Sequence, residues 1–420
     1  MKYSNFSDRL KGDSGILRLM EDLGEAINGE VEIQMLGGGN PAAIPEVERI
    51  FRREMEKMLA DGGAFERMVG NYDAPQGNHA FREALAALLR REFDWPIGPA
   101  NIAVTNGSQA GFGILFNLFA GRHPGGACKK ILLPMTPEYI GYADVGFGDQ
   151  PVFTANKPVI ENIDDLIFKY RVDFDSLDIG AEIGAVCISR PTNPTGNVVT
   201  DEEIAKLHRL TRKAGVPLIV DGAYGLPFPA IVFNRAAPLW DEHIILCLSL
   251  SKLGLPGART GIIIANTDII DQITRANAIF TLAPGRFGPS LVTRLLESRE
   301  LLPLCGDIIA PFYRERSRRA IALVRELMGD LPVRVHSSEG AVFLWLWFPD
   351  MPISGEILYQ RLKQRGVLVI AGGHFFPGLD QFWQHRDECI RVTYAADPAQ
   401  LSRGMEIIAE EVRRGYADGG

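Results

Sequence analysis

Lys252 follows an apolar run, Ile244 to Leu250, in the stretch Ser249-Leu250-Ser251-Lys252-Leu253-Gly254-Leu255-Pro256-Gly257-Ala258-Arg259-Thr260-Gly261. The run reads as a buried strand. An ammonium at the end of such a strand is costly unless it is paired or loses its proton. A lysine with a lowered pKa is a carbonyl-trapping amine. The hydroxyls of Ser249 and Ser251 and the guanidinium of Arg259 suit a phosphate. On this stretch alone two readings stay open: a reactive lysine beside an anion site, or a strand followed by a basic, Gly/Pro-rich loop.

Other stretches place polar residues after apolar runs. Asn106-Gly107-Ser108-Gln109 follows Ile102-Ala103-Val104-Thr105 and opens a helical pattern. Gly107 permits a tight turn. The free N–H groups of the first helical turn, with the Ser108 hydroxyl, make an anion site or a plain helix cap. Arg190-Pro191-Thr192-Asn193-Pro194-Thr195-Gly196-Asn197 follows the run ending at Ser189. Its prolines and glycine stiffen the loop, which either presents the Asn193 amide at a fixed point or is an ordinary turn. Asp221-Gly222-Ala223-Tyr224 follows Val216 to Val220. An aspartate there is expensive unpaired. A pyridinium N–H would pair it, and Tyr224 could donate to a neighbouring ring oxygen; the alternative is an N-cap aspartate and a core tyrosine. Each stretch is ambiguous alone. Four in this order, each ending a strand, point together to pyridoxal 5'-phosphate (PLP), with Lys252 as its Schiff-base amine.

Those residues need strands to hold them. Ile102–Thr105, Lys130–Leu133, Ala185–Ile188, Val216–Val220, Ile244–Leu250 and Gly261–Ala265 are short apolar runs. Helical patterns separate them: Ser108–Ala120 is one, and Thr200 or Asp201 could cap another. The alternation predicts an α/β fold with a mostly parallel sheet covered on both faces. The C-terminal part differs. A basic amphipathic helix over Arg314–Met328, a strand over Val342–Phe348, a helix over Glu356–Arg365, a strand over Ile390–Thr393 and a helix over Pro398–Arg414 predict a smaller α+β unit.

The bulk numbers exclude other classes. The 420 residues are 46% hydrophobic and 23% charged, as in a soluble globular protein. A net charge of −8 argues against general nucleic-acid binding, so no nucleic-acid partner is expected. The five cysteines (Cys128, Cys187, Cys247, Cys305 and Cys389) are scattered and read as reduced residues of a cytoplasmic protein. The seven histidines show no metal-ligand spacing. The opening residues Lys2, Asp8, Arg9, Lys11 and Asp13 do not read as a signal peptide. The longest apolar run, Ala341 to Phe348, is too short to span a bilayer.

From about Gly37 to Arg391 the chain resembles the fold-type I PLP-dependent aminotransferases of the aspartate aminotransferase superfamily. The resemblance implies a seven-stranded, mostly parallel sheet in a large domain over 46–300, with 1–45 and 301–420 forming the small domain. Lys252 matches the Schiff-base lysine. Ser249, Ser251 and Arg259 match the phosphate ligands, completed by Gly107, Ser108 and Gln109. Asp221 matches the partner of the pyridine nitrogen, and Asn193 and Tyr224 the donors to the ring hydroxyl. Tyr139 in Pro137-Glu138-Tyr139-Ile140-Gly141-Tyr142 falls where the family stacks an aromatic, with Tyr142 the alternative. Tyr72, in Tyr72-Asp73-Ala74-Pro75-Gln76-Gly77 ahead of Phe81-Arg82, looks like the tyrosine that reaches the neighbouring subunit's phosphate, which implies a homodimer with shared active sites. Arg391 matches the arginine that grips the substrate α-carboxylate, a task suited to bidentate pairing.

The spacing from Lys252 to Arg259 is one residue shorter than in most relatives. This shorter form, Leu36-Gly37-Gly38-Gly39-Asn40-Pro41, Pro137-Glu138-Tyr139-Ile140-Gly141-Tyr142 and Gly372-Gly373-His374-Phe375-Phe376-Pro377-Gly378 look like the valine–pyruvate aminotransferase branch. That likeness implies transamination between a neutral aliphatic amino acid and a 2-oxo acid such as pyruvate. Gly38, Gly39 and the His374-Phe375-Phe376 loop would shape the substrate pocket, since no second arginine is evident for an ω-carboxylate. The same apparatus serves C–S β-lyases, and fold does not select among them. A PLP-binding regulator fits less well: only about 35 residues precede Gly37, too few for a winged helix-turn-helix.

Overall fold

The computed structural model describes residues 7, 14–28, 33–148 and 150–418. Of the polar opening residues, Lys2, Asp8, Arg9, Lys11 and Asp13 lie outside the described residues. Two sheets organise the rest. The larger has eight strands. Its path runs Ile102–Thr105, Gly261–Ile264, Ile244–Ser249, Leu218–Asp221, Ile183–Ser189, Cys128–Leu133 and Gly121–Arg122, with Phe153–Ala155 also pairing Cys128–Leu133.

The Leu218–Asp221 strand pairs in parallel with both neighbours, and Gly261–Ile264 runs antiparallel to both of its own. Every residue of Ile183–Ser189, Leu218–Asp221 and Ile244–Ser249 is buried. Helices cover both faces, so these strands are continuous apolar runs rather than alternating ones. The sheet is mixed and holds one strand more than the expected seven. The two-residue arm Gly121–Arg122 is too short to leave a pattern in the sequence.

Parallel strand order puts one set of strand ends along one edge. Thr105, Ser189, Asp221 and Ser249 all end their strands there. The helices that follow are capped as their sequence demands. Thr200 accepts the Glu203 N–H at 3.1 Å while Glu203 accepts the Thr200 N–H at 2.9 Å, so Thr200 rather than Asp201 caps the helix Asp201–Ala214.

The second sheet has six strands, ordered Ile370–Ala371, Cys389–Thr393, Phe343–Trp347, Arg334–His336, Ile167–Arg171 and Val159–Asn162. The last two come from inside the 46–300 segment. The chain leaves the first sheet after Phe153–Ala155, adds two strands to the second, and returns for Ile183–Ser189. Phe168 and Tyr170 drive the excursion, since both are buried against His336 and His385. Around this sheet pack Ala310–Met328, Gly355–Gln364 and Pro398–Ala417, each within four residues of its expected ends. The N-terminal strand Gln34–Met35 pairs with Val367–Leu368, fastening residues 33–41 between the sheets.

Candidate active site

The strand ends surround a cavity of about 710 Å³. Its walls include Gly39, Ser108, Gln109, Tyr139, Asn193, Asp221, Tyr224, Ser249, Ser251, Lys252, Arg259 and Arg391. Thus twelve of the fourteen residues singled out from sequence meet in one space. Gly107 sits immediately behind it, and Tyr72 lies elsewhere.

One end of the cavity is built for an anion. Gly107 has φ +88°, and a Cβ there would lie 2.3 Å from Arg259 Nη2. Only glycine lets the turn and the guanidinium come so close. The helix Ser108–Phe119 starts at the next residue and turns its free N–H groups to the same place. Ser249 Oγ accepts the Ser251 N–H at 3.1 Å, which fixes its lone pairs and leaves its proton for a ligand. Gln109 donates from Nε2 to the Gly141 carbonyl at 2.6 Å, and its buried Oε1 has no partner.

Lys252 lies in the short helical turn Ser251–Leu253 that ends the Ile244–Ser249 strand. Its Nζ donates to the Gly39 carbonyl at 2.5 Å and stands 5.1 Å from the centre of the Tyr224 ring. The amine stays reachable through the cavity, yet the surrounding protein strips it of bulk water. Burial, then the Arg391 and Arg259 charges, lowers its pKa to about 8, against an opposing pull from Asp221. Roughly a tenth is therefore free amine at pH 7, far more than for an ordinary lysine.

Asp221 accepts the Ala223 N–H at 2.9 Å and the Tyr142 hydroxyl at 2.6 Å. Burial raises its pKa, while the Tyr142 bond, the Ala223 N–H and Lys252 act the other way. Tyr224 is buried edge-on to Phe343, and burial holds its phenol protonated far above the usual range. It can therefore only donate its proton or accept with its oxygen.

Arg391 projects from the Cys389–Thr393 strand and is 2% exposed. It donates from Nη1 to Asn193 Oδ1 at 2.6 Å and from Nη2 to the Gly37 carbonyl at 2.7 Å. Its guanidinium lies 4.0 Å from the Phe343 ring centre and 5.2 Å from that of Phe375. Its Nε has no partner, and burial lowers its pKa to about 10. The loop carrying Asn193 is closed by Thr192 N–H to Asn197 O and Gly196 N–H to Thr192 O, both at 2.8 Å. With Oδ1 engaged by Arg391, the Asn193 NH₂ is left for the cavity.

Some assignments sharpen. Tyr139 lines the cavity; Tyr142 does not, so it is no alternative stacking residue. It lies behind the wall as the hydrogen-bond partner of Asp221. Phe375 lies under Arg391, but His374 turns to Glu356 at 3.7 Å. Sequence reasoning missed Glu138, Ser189, Ile16 and Met20. The latter two reach the cavity from the helix Gly15–Asn28. Tyr72 is 83% exposed and lies outside the cavity within one chain. Among the described residues no group of three or more His, Cys, Asp or Glu side chains could hold a metal ion, and no helix is long and apolar enough to cross a membrane.

The profile of the family aminotransferase class I and II matches residues 42–408. A valine–pyruvate aminotransferase of Escherichia coli (strain K12) is 50% identical over 418 residues, covering 100% of both chains. The crystal structure of valine–pyruvate aminotransferase from Salmonella typhimurium LT2 is 49% identical, with a TM-score of 0.89 over 96% of this chain and 100% of that one. A solved structure from Psychrobacter arcticum 273-4 is 45% identical, with a TM-score of 0.96 over 100% of both chains. The chain is therefore a member of the class I and II aminotransferase family.

Proposed function

We propose that the chain binds PLP and transaminates a neutral aliphatic L-amino acid, valine or similar, with a 2-oxo acid such as pyruvate. The observation that carries this is the meeting of Lys252, Asp221 and Arg391 in one cavity beside an anion cradle. The residues fit the cofactor. The unpartnered Gln109 Oε1 and Arg391 Nε are buried polar atoms that a bound ligand or its waters would satisfy. The Gly107 turn brings N–H groups and Arg259 within reach of one phosphate.

PLP supplies an electron sink that acidifies the substrate Cα–H. The side chains do the rest. Ser108, Gln109, Ser249, Ser251 and Arg259 would hold the phosphate. Asp221 keeps a negative charge where a protonated ring nitrogen needs one. Asn193 and Tyr224 would donate to the ring oxygen, and Tyr139 would cover the ring. Lys252 would anchor the cofactor and, once released as a free amine, would be the base placed to take the Cα proton. Arg391 grips the α-carboxylate with two N–H groups and orients the Cα–H.

The pocket favours a neutral side chain. Arg391 and Arg259 are the arginines among its lining residues, and both are engaged by this scheme. Ile16, Met20 and Ile140 offer apolar contact instead. The substrates named for the Escherichia coli relative agree with this chemistry.

A homodimer completes the reading. Tyr72 is exposed, as are Phe65, Val69, Phe280, Leu282 and Phe287. Arg286 joins the two stretches by pairing with Asp73 at 3.0 Å, and the Gly285 N–H reaches Asn106 Oδ1 at 2.8 Å beside the anion cradle. Such a surface suits a second copy whose Tyr72 reaches the phosphate. The free thiols Cys128, Cys187, Cys247, Cys305 and Cys389 suit the cytoplasm.

The test is product analysis with purified chain, PLP, valine and pyruvate. Alanine and 3-methyl-2-oxobutanoate should form in equal amounts, with no ammonia. Ammonia release without an acceptor would instead mark a lyase.

A further inference from the structure

Glu138 is fully buried one residue before Tyr139, yet it lines no wall of the cavity. Its Oε1 accepts the Ser189 N–H at 2.8 Å, and its Oε2 is closely hydrogen-bonded to Ser189 Oγ. Ser189 Oγ lies 3.4 Å from Tyr142 Oη, which reaches Asp221 Oδ2 at 2.6 Å. Two buried carboxyl groups are thus the ends of one line of side chains.

The line has three oxygen–oxygen contacts but only two hydroxyl protons. Tyr142 commits its proton to Asp221 and turns a lone pair to Ser189. With Glu138 ionised, Ser189 Oγ donates to Glu138 Oε2 and its 3.4 Å approach to Tyr142 Oη is left without a proton; with Glu138 neutral, the carboxyl group donates to Ser189, whose own proton is free for Tyr142. Only the neutral order fills all three contacts, and it needs a third proton on the carboxyl group, which is fully buried. The surroundings agree. Burial, the first cause, and the nearby Asp221 charge raise the Glu138 pKa to about 8, against the Ser189 hydroxyl and the Ser189 and Tyr139 N–H groups, which favour the ionised form. The titratable groups facing it are Cys187, Tyr142 and Asp221, and its own N–H is taken by the Phe375 carbonyl at 2.8 Å.

We propose that Glu138 is a positioning residue that holds the third proton, so that every donor in the line points toward Asp221 and the negative charge stays at the cavity end. The role of that charge rests on the PLP reading above; the protonation of Glu138 does not. The carboxylic acid and the two hydroxyls act as a polarised chain that stabilises an anion at its far end. An ionised Glu138 would reverse the order and set two like charges against each other in a dry interior.

Difference infrared spectroscopy of the wild-type holoenzyme against Glu138→Gln at neutral pH tests this. The carbonyl band of a protonated carboxylic acid should be present in the wild type and missing from the variant. Its absence from the wild type would overturn the proposal. Glu138→Gln donates toward Ser189 as the acid does, so its PLP dissociation constant should stay within about threefold of wild type. Ser189→Ala cuts the line, and PLP affinity should fall about tenfold, with a shifted pH titration of the cofactor's visible absorbance. An equal titration shift in Glu138→Gln would mean that Glu138 carries the charge, and the proposal fails. Failure of the PLP reading itself would show as no cofactor absorbance in the wild type, while the infrared band still decides Glu138.

Discussion

Arg391 donates from Nη1 to Asn193 Oδ1 at 2.6 Å, tying the second sheet to the loop after Ile183–Ser189. The contact orients both partners. It points the Asn193 NH₂ into the cavity and holds the guanidinium plane between Phe343 and Phe375. Lysine cannot copy this fork, because its single ammonium lacks the planar donor pair. Arg391→Lys should therefore retain PLP absorbance while kcat/KM for the amino acid falls about 100-fold, the worth of a lost charged hydrogen bond or two. Steady-state kinetics with valine and pyruvate, beside an absorbance spectrum, checks both halves.

Lys252 gives a pH signature. Its pKa of about 8 lies well below that of a free lysine. Only the unprotonated amine attacks an aldehyde. The rate at which cofactor-free chain captures PLP should thus rise about tenfold per pH unit below pH 8 and level off above it. Stopped-flow absorbance across pH checks this; a rate still climbing at pH 10 would contradict the burial argument. Lys252→Ala should show neither the absorbance nor half-transamination with valine.

The Lys252 neighbourhood was legible because a parallel strand buried on both faces writes itself as an unbroken apolar run, and a polar residue ending that run stands out. Asp221 and Asn193 were found the same way. Glu138 was not, and Tyr142 was legible only as an alternative stacking residue, not as the partner of Asp221. They act from an irregular segment behind the cavity wall, where no period marks which side chain faces which partner. Strands Val159–Asn162 and Ile167–Arg171 escaped for another reason. Ile167–Arg171 pairs with Arg334–His336, more than 160 residues further on, about which local pattern carries no information, and Val159–Asn162 pairs only with Ile167–Arg171 at the sheet's edge. Ile16 and Met20 belong to an amphipathic helix whose apolar face reads equally well as ordinary packing.

Asp221 makes a sharper electrostatic test. Asparagine keeps the size and the Tyr142 contact but removes the charge. Removing one partner of a buried ion pair costs about 3–5 kcal/mol, so the half-reaction of Asp221→Asn should slow about 150- to 5,000-fold. Cofactor should still bind through the phosphate cradle. Single-turnover loss of the cofactor absorbance with valine measures the first, and titration of PLP into the apo chain the second.

Gly107 predicts a backbone effect without any change of charge. Alanine there meets Arg259 Nη2 at 2.3 Å and must hold φ +88°. Strain of this type costs about 1–3 kcal/mol, so Gly107→Ala should weaken PLP and inorganic phosphate binding about tenfold or more. Arg259→Ala relieves the clash but not the φ strain while deleting a phosphate ligand, so Gly107→Ala should cost less binding on the Arg259→Ala background than on the wild type. That non-additivity, read by equilibrium titration, separates local crowding from a general loss of fold.

Tyr72 predicts complementation between subunits. It is 83% exposed in one chain, whereas the cavity it is expected to serve lies in the partner. Tyr72→Ala should weaken PLP binding, and Lys252→Ala should abolish turnover. In a mixed dimer one site inherits both defects, while the other combines the intact Lys252 of one chain with the intact Tyr72 of its mate. Co-expressed variants with different affinity tags, purified through both tags, should therefore recover about half the wild-type activity per dimer. Recovery should follow the fraction of mixed dimers; at limiting PLP it should exceed the activity of Tyr72→Ala alone, and Lys252→Ala alone should show none. A doubly tagged dimer without activity would place Tyr72 outside the neighbouring site and leave its exposure to be explained by interface packing.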